Sequence, residues 1–288
     1  MASNKNFDFS VIIPAYNESG SIVRVIREIF VLFPNSEVIV VDDGSTDDTA
    51  DLAIKAGAKV LKHPYNMGNG AAVKTGMREA KNPIFITMDA DGQHDPKDIQ
   101  RLVERMDFFD MAVGERSFKS QATAKRAIGN IVYNSFASYI TSFKVKDLTS
   151  GFRAVKREVA LEALPLFPNT YSYPTTLTLV TLKSGFSVSY VPIVVKKRQW
   201  GKSGINLIQD GVKFLMIMIK ITTLYSPLRV FLPMSLLLFF FGIMNYGYTF
   251  FYGGRFTNMS AVFFLSGLVT FMMGVISEQI CQMRYEKK

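Results

Sequence analysis

The stretch Ile84-Phe85-Ile86-Thr87-Met88-Asp89-Ala90-Asp91-Gly92-Gln93-His94 passes without a break from five apolar or β-branched residues to two acids one residue apart. A short apolar run bounded by turn residues reads as a buried strand, here one that delivers its carboxylates straight into a loop. Hard divalent cations such as Mg²⁺ and Mn²⁺ take oxygen ligands and bridge protein carboxylates to substrate phosphates, which makes Asp89 and Asp91 candidate ligands. Taken alone, an acidic turn reversed at Gly92 explains the pattern equally well.

Three runs upstream repeat the strand signal: 10–14 (SVIIP), 37–41 (EVIVV) and 59–61 (KVL). Residues 21–31, 47–56 and 71–80 between them carry apolar positions at helical spacing. Alternating strands and helices predict an α/β domain with a mostly parallel sheet. In such sheets ligands bind beyond the carboxyl ends of the strands, so the polar loops after the first, second and fourth strands are the places for chemistry. After the first, Pro14-Ala15-Tyr16-Asn17-Glu18 offers Tyr16 for stacking and Glu18 as an acceptor. After the second, one acid of Val41-Asp42-Asp43 can accept from a base N–H or a ribose hydroxyl, while Thr46 or Asp47 caps the next helix. Gly68-Asn69-Gly70 reads either as a backbone approach to phosphate or as a helix-start turn. His63 and His94 are too few and too far apart for a metal site of their own.

The chain has 288 residues, 33 basic against 24 acidic, a net charge of +9 and a mean hydropathy of +0.16. Its 48% hydrophobic content, spread along the sequence, excludes a disordered chain. One cysteine, Cys281, excludes a disulfide scaffold and suits a reducing compartment. The polar start, Met1-Ala2-Ser3-Asn4-Lys5-Asn6, has no apolar core and reads as no signal peptide. No helix-turn-helix, RNP or zinc spacing accompanies the positive charge, so nucleic acid is not expected as a partner. Attraction to anionic lipid is the simpler reading.

Membrane character begins near residue 225. Residues 230–252 contain no charge, and 261–276 form a second uncharged run extended by Met259-Ser260 and Ser277. Each is long enough to cross about 30 Å of hydrocarbon. The turn Gly253-Gly254-Arg255-Phe256-Thr257-Asn258 makes the pair a hairpin, with spans near 230–252 and 259–278. Basic residues lie before the first span (Lys213, Lys220, Arg229) and after the second (Arg284, Lys287, Lys288), against Arg255 alone between them. The positive-inside rule then puts both termini and the N-terminal α/β domain in the cytoplasm. Within 205–226, Asn206, Asp210, Lys213 and Lys220 form a narrow polar stripe on an apolar helix, as expected for one lying in the membrane interface; the alternative, a third membrane span, is disfavoured by its three charges. The predicted division is thus 1–204, 205–226 and 227–288. Gly242, Gly247, Gly267 and Gly274 allow close helix contacts, including those of a homo-oligomer.

Four motifs in order, Val11-Ile12-Ile13-Pro14-Ala15-Tyr16-Asn17-Glu18, Val41-Asp42-Asp43-Gly44-Ser45, Asn66-Met67-Gly68-Asn69-Gly70-Ala71-Ala72 and Asp89-Ala90-Asp91-Gly92-Gln93, resemble those of family 2 glycosyltransferases. The polyprenyl-phosphate branch, with its dolichol-phosphate mannose synthases and bacterial undecaprenyl-phosphate glucosyltransferases, is the most similar. The resemblance spans about residues 9–204, and the hairpin matches the architecture of the bacterial members. It implies a GT-A fold, a nucleotide-sugar donor such as UDP-glucose or GDP-mannose, a polyprenyl-phosphate acceptor, an inverting reaction and Mg²⁺ or Mn²⁺. By motif position, Pro14, Tyr16, Glu18, Val41 and Asp43 would hold the nucleoside. Asp89, Ala90, Asp91 and Gln93 would lie at the metal and diphosphate, with Asp89, Asp91 and Gln93 as ligands. Arg116 would help fix the donor, and Arg198 and Lys202 would belong to the loop over the phosphates. Asp147, in Asp147-Leu148-Thr149-Ser150-Gly151-Phe152-Arg153, would stand at the reacting centre, orienting the acceptor or taking a proton, with Arg126 near the acceptor phosphate. The expected catalytic set is Asp91, Asp147, Arg198 and Lys202. Two other readings stay open: a processive polysaccharide synthase, which Arg198-Gln199-Trp200 and only two spans disfavour, and a non-catalytic membrane module with the same fold.

Overall fold

The computed structural model describes residues 8–116, 124–196 and 207–286. The chain forms two compact units, 1–217 and 218–288.

In the first unit, seven strands form one sheet: β1 (Phe9–Ala15), β2 (Glu37–Asp42), β3 (Lys59–Lys62), β4 (Ile84–Thr87), β5 (Met111–Arg116), β6 (Arg153–Lys156) and β7 (Val188–Ile193), in the order β3-β2-β1-β4-β6-β5-β7. All neighbours are parallel except β6, which runs against both β4 and β5. Every residue of β1 and β4 is buried, as continuous apolar strands covered on both faces should be. Helix α1 (Ile22–Leu32) shows how the cover is made: Ile22, Val25, Ile26 and Ile29, at i, i+3, i+4 and i+7, face the sheet and are buried. The remaining helices of this unit are α2 (Thr49–Lys55), α3 (Asn69–Glu79), α4 (Asp98–Val103), α5 (Ala124–Thr141), α6 (Arg157–Ala163) and α7 (Tyr173–Lys183). The mostly parallel sheet is as expected, and all four predicted strands and three predicted helices form.

Gly68-Asn69-Gly70 is a helix start. Gly68 caps α3 with φ +102°, and a Cβ there would lie 2.2 Å from the Asn169 carbonyl oxygen. Gly70 donates its N–H to that same oxygen at 3.0 Å. Gly68→Ala combines left-handed strain with a backbone clash, an expected cost of about 2 kcal/mol or more. The unfolding midpoint of the full chain in detergent should drop by roughly 4–8 °C.

Helix α8 (Leu207–Tyr225) straddles the division between the units. Met218, Ile221 and Thr222 are buried, while Val212, Leu215, Met216 and Ile219, at i, i+3, i+4 and i+7, leave an apolar stripe exposed. Lys213 and Lys220 are exposed beside it. Asn206 lies outside the described residues, and so does the side chain of Asp210.

The second unit ends in α9 (Leu228–Gly253) and α10 (Asn258–Glu286). Their apolar segments, Leu228–Gly253 and Asn258–Met283, are 26 residues each with mean hydropathies of 1.8 and 2.1. Only 11% and 17% of them is buried, so the apolar side chains point outward, unlike those of a soluble core helix. The two helices pack where glycine lets them approach: a Cβ at Gly242, Gly267 or Gly274 would meet Phe264, Phe239 or Phe231 at 3.0, 3.1 and 2.7 Å. These glycines therefore serve the hairpin itself, while Gly247 faces open space. The Glu278 carboxylate accepts from the Leu228 N–H at 3.2 Å, satisfying a donor at the start of α9. At the turn, Asn245 Oδ1 accepts from the hydroxyls of Thr257 (3.1 Å) and Ser260 (2.9 Å).

Candidate active site

The loops after β1 and β2 are stitched together. Asn17, at φ +55°, accepts from the Thr46 N–H at 2.8 Å and donates its own N–H to Ser45 Oγ at 2.9 Å. The Glu18 N–H donates to Thr49 Oγ1 at 2.8 Å, and Ser19 N–H to Asp47 at 3.2 Å. Asp47 is a structural acid, as expected: burial raises its pKa, but hydrogen bonds from Thr49 and Ser19 bring it below the usual value. Tyr16, 44% exposed, stands at the mouth of this edge with Glu18 half-buried beside it.

Pro14, Val41 and Ala90 are buried, so any contact they make with a ligand is through backbone. Asp43 differs from the expectation of an acid open to base or ribose. It is buried, its Oδ1 accepts from His63 Nδ1 (2.7 Å) and the Met67 N–H (2.9 Å), and its Oδ2 accepts from the Gly68 N–H (2.8 Å). His63 Nε2 continues to Thr75 Oγ1 at 2.9 Å. Asp43 thus anchors the loop ahead of α3, with one lone-pair direction left on Oδ2.

Beyond β4, Asp89 and Asp91 are both part-exposed at the strand tip. Asp91 Oδ1 accepts from the Gln93 N–H at 3.1 Å, and Gly92 takes φ +69° to make the turn. Gln93 is tied to the third residue after β7: its Nε2 donates to the Lys196 carbonyl at 3.0 Å, and Lys196 N–H donates to the Gln93 carbonyl at 2.9 Å. Lys196 Nζ also pairs with Asp95 at 3.0 Å. Arg198 and Lys202 lie outside the described residues.

The reversed strand β6 brings a second loop to this edge. Thr87 pairs in register with Arg153, and its hydroxyl donates to the Gly151 carbonyl at 2.6 Å. A Cβ on Gly151 would lie 3.2 and 3.3 Å from the two carboxylate oxygens of Asp89 and 3.5 Å from the Tyr173 hydroxyl. A side chain there would press on the Asp89 carboxylate. Tyr173 is fully buried, and burial, then the Asp89 charge, push its phenol above the usual range.

Asp147 holds Arg116 in a bidentate pair, Nε to Oδ2 at 2.8 Å and Nη2 to Oδ1 at 2.9 Å. It also accepts from the backbone N–H groups of Arg116 (3.2 Å), Thr149 (3.2 Å) and Ser150 (3.1 Å). Burial raises the Asp147 pKa, but the Arg116 hydrogen bonds and charge outweigh it and hold the carboxyl below the usual carboxylate range. Five donors and an ionised state make it a poor proton acceptor, against the expectation that it could take a proton. Its observable work is to fix Arg116, whose charge is further stabilised by Asp89. Beneath this loop Arg153 is fully buried, donating to the carbonyls of Ser150 (2.6 Å) and Leu148 (2.9 Å) and to Thr178 Oγ1 (2.6 Å). Burial lowers its pKa to about 10, so it stays charged at neutral pH. Arg126 has no described side chain.

Among the described residues no cluster of three or more His, Cys, Asp or Glu side chains forms a complete metal cage. The donor set fits a hard cation whose shell a substrate completes: two carboxylates at one strand tip, the side-chain oxygen of Gln93, and the space kept by Gly151.

These elements define a nucleotide-sugar transferase architecture. Residues 10–163 match the Glycosyl transferase family 2 profile, and the chain belongs to that family and is a glycosyltransferase. Residues 226–283 match the GtrB C-terminal hairpin profile. An uncharacterized protein of Methanocaldococcus jannaschii is 34% identical over 224 residues, covering 73% of this chain and 91% of that one. The polyprenol monophosphomannose synthase of Mycolicibacterium smegmatis is 31% identical (67% and 79% covered), and the undecaprenyl-phosphate mannosyltransferase of Micrococcus luteus 28% (67% and 85%). Glucosyl-3-phosphoglycerate synthase from Mycobacterium tuberculosis, crystallised with Mn²⁺, UDP and glucosyl-3-phosphoglycerate, superimposes with a TM-score of 0.59 at 21% identity, covering 75% and 80%, a likeness of fold.

Proposed function

We propose that this enzyme transfers a hexose from a nucleotide diphosphate sugar to a polyprenyl phosphate at the cytoplasmic face of a membrane, with a divalent cation and inversion at the anomeric carbon. The observation that carries it is the meeting of Asp89, Asp91 and the Arg116–Asp147 pair at one sheet edge, on a chain that ends in an outward-facing apolar hairpin. The named relatives supply the acceptor class. Tyr16 and Glu18 receive the nucleoside, with Pro14 and Val41 through backbone and Asp43 through the loop it anchors. The exposed stripe of α8 seats in the lipid interface with Lys213 and Lys220 toward headgroups.

An acceptor phosphate oxygen forms the new bond to C1 as the bond from C1 to the diphosphate breaks, and one such displacement inverts the centre. The second pKa of a phosphate monoester is about 6, so the acceptor is already anionic and no strong base is needed. That agrees with an Asp147 whose lone pairs are taken. Asp89, Asp91 and Gln93 would hold the cation, which when bound supplies positive charge to the departing diphosphate. Arg116, Arg198 and Lys202 add fixed positive charge and orient the phosphates.

The test is to incubate the full chain in detergent with undecaprenyl or dolichyl phosphate and a panel of UDP- and GDP-hexoses, reading lipid products by mass and the anomer by NMR. A single polyprenyl-phosphate hexose is expected. Free sugar alone, a growing polymer or no turnover would each refute the assignment.

A further inference from the structure

His94 directly follows the acid loop, is 6% exposed, and lies with its ring against Phe152 at 5.0 Å and 22°. Phe152 is itself fully buried, so the imidazole plane is fixed from one side by the core. Its Nδ1 is one of five buried side-chain polar atoms among the described residues with no hydrogen-bond partner. Such an atom ordinarily costs about 1–3 kcal/mol, which makes its retention informative. The carboxylate facing it is Asp89, with Oδ2 4.0 Å from Nδ1. That is just beyond hydrogen-bond reach, and the Asp89 side chain is 40% exposed. An imidazole so placed can offer that carboxylate one directional N–H.

We infer that His94 is a positioning residue for Asp89: its Nδ1–H donates to Asp89 Oδ2 when that carboxylate turns to hold a divalent cation, fixing which oxygen faces the ion. The inference rests on the proposed role of Asp89 as a ligand. A donor behind a ligating group raises metal affinity by orienting it, typically by about 10–100-fold.

The experiment measures Mn²⁺ binding to the full chain in detergent by the electron paramagnetic resonance signal of free Mn²⁺, with metal-free unfolding midpoints in parallel. His94→Phe keeps a ring against Phe152 and removes the N–H. It should weaken Mn²⁺ binding by about 10–100-fold, with the metal-free midpoint unchanged or raised because the unpartnered nitrogen is gone. His94→Asn places an amide N–H near the Nδ1 position and should stay within about threefold of wild type, whereas His94→Gln, whose amide extends toward the Nε2 position, should resemble His94→Phe. This Asn and Gln pair decides the matter even if His94→Phe fails to fold. Wild-type affinity in His94→Phe, or equal affinities in His94→Asn and His94→Gln, overturns the inference. Asp89→Asn separates the two levels: if it leaves Mn²⁺ affinity unchanged, Asp89 is no ligand and both readings fall. If it abolishes binding while His94→Gln does not weaken it, only the positioning role falls.

Discussion

Asp91→Asn is expected to lower sugar transfer by about 10²–10³-fold, the size of effect seen when one preorganised electrostatic contact to a developing charge is removed. The asparagine Oδ1 still accepts from the Gln93 N–H, so the turn at Gly92 persists and the unfolding midpoint should hold to within about 0.5 kcal/mol. The loss should appear together with weakened Mn²⁺ binding, because a neutral amide is a poorer ligand for a hard cation than a carboxylate. Transfer at the wild-type rate with unchanged Mn²⁺ dependence would remove Asp91 from the metal site.

Asp147→Ala acts on stability first. Removing the carboxylate leaves the Arg116 guanidinium, 27% exposed, without its bidentate partner, and strips acceptors from the Thr149 and Ser150 N–H groups. Breaking one side of such a pair costs about 3–5 kcal/mol, or roughly 6–20 °C in the unfolding midpoint. The pH dependence has a definite sign. The folded Asp147 pKa lies below its ordinary 3.8, so its contribution is fully present above that value and lost as pH falls through the folded one. The stability gap between wild type and variant should be flat from pH 8 to pH 5 and close only below about pH 4. Rate profiles should show no limb between pH 5 and 8 that Asp147→Asn removes; such a limb would restore Asp147 as a base.

The half of the candidate site that follows β1, β2 and β4 was legible because parallel strands buried on both faces spell themselves out as apolar runs, and their loops carry the acids at the ends. The 84–94 stretch and the motifs after β1 and β2 sit where that logic puts them. The other half was hidden for physical reasons. Strand β6 is four residues long and begins with Arg153, a charge that sequence reasoning assigns to the surface. It is buried here only because two carbonyls and a threonine hydroxyl satisfy it. Arg116 and Asp147 are 31 residues apart, and nothing local pairs them; the resemblance named both residues but not their bond. Asp43 looked like a ligand group because an acid at a strand end has the same sequence whether it faces a nucleoside or its own loop. His94 carried no periodic signal, since its environment is made by Phe152 and Asp89 arriving from elsewhere.

The reversal of β6 has a consequence for how such enzymes diversify. Because this strand enters the sheet at the edge where its parallel neighbours leave, the chain can lengthen or recompose the segment ahead of Arg153 without altering the order of β1, β2 and β4. One end of the sheet thereby becomes a junction of two segments distant in the chain, joined through the Thr87 hydroxyl and the Gly151 carbonyl and through the Arg116–Asp147 pair. Sequence change ahead of Arg153 is therefore constrained by the partners that segment must keep at Asp89 and Arg116.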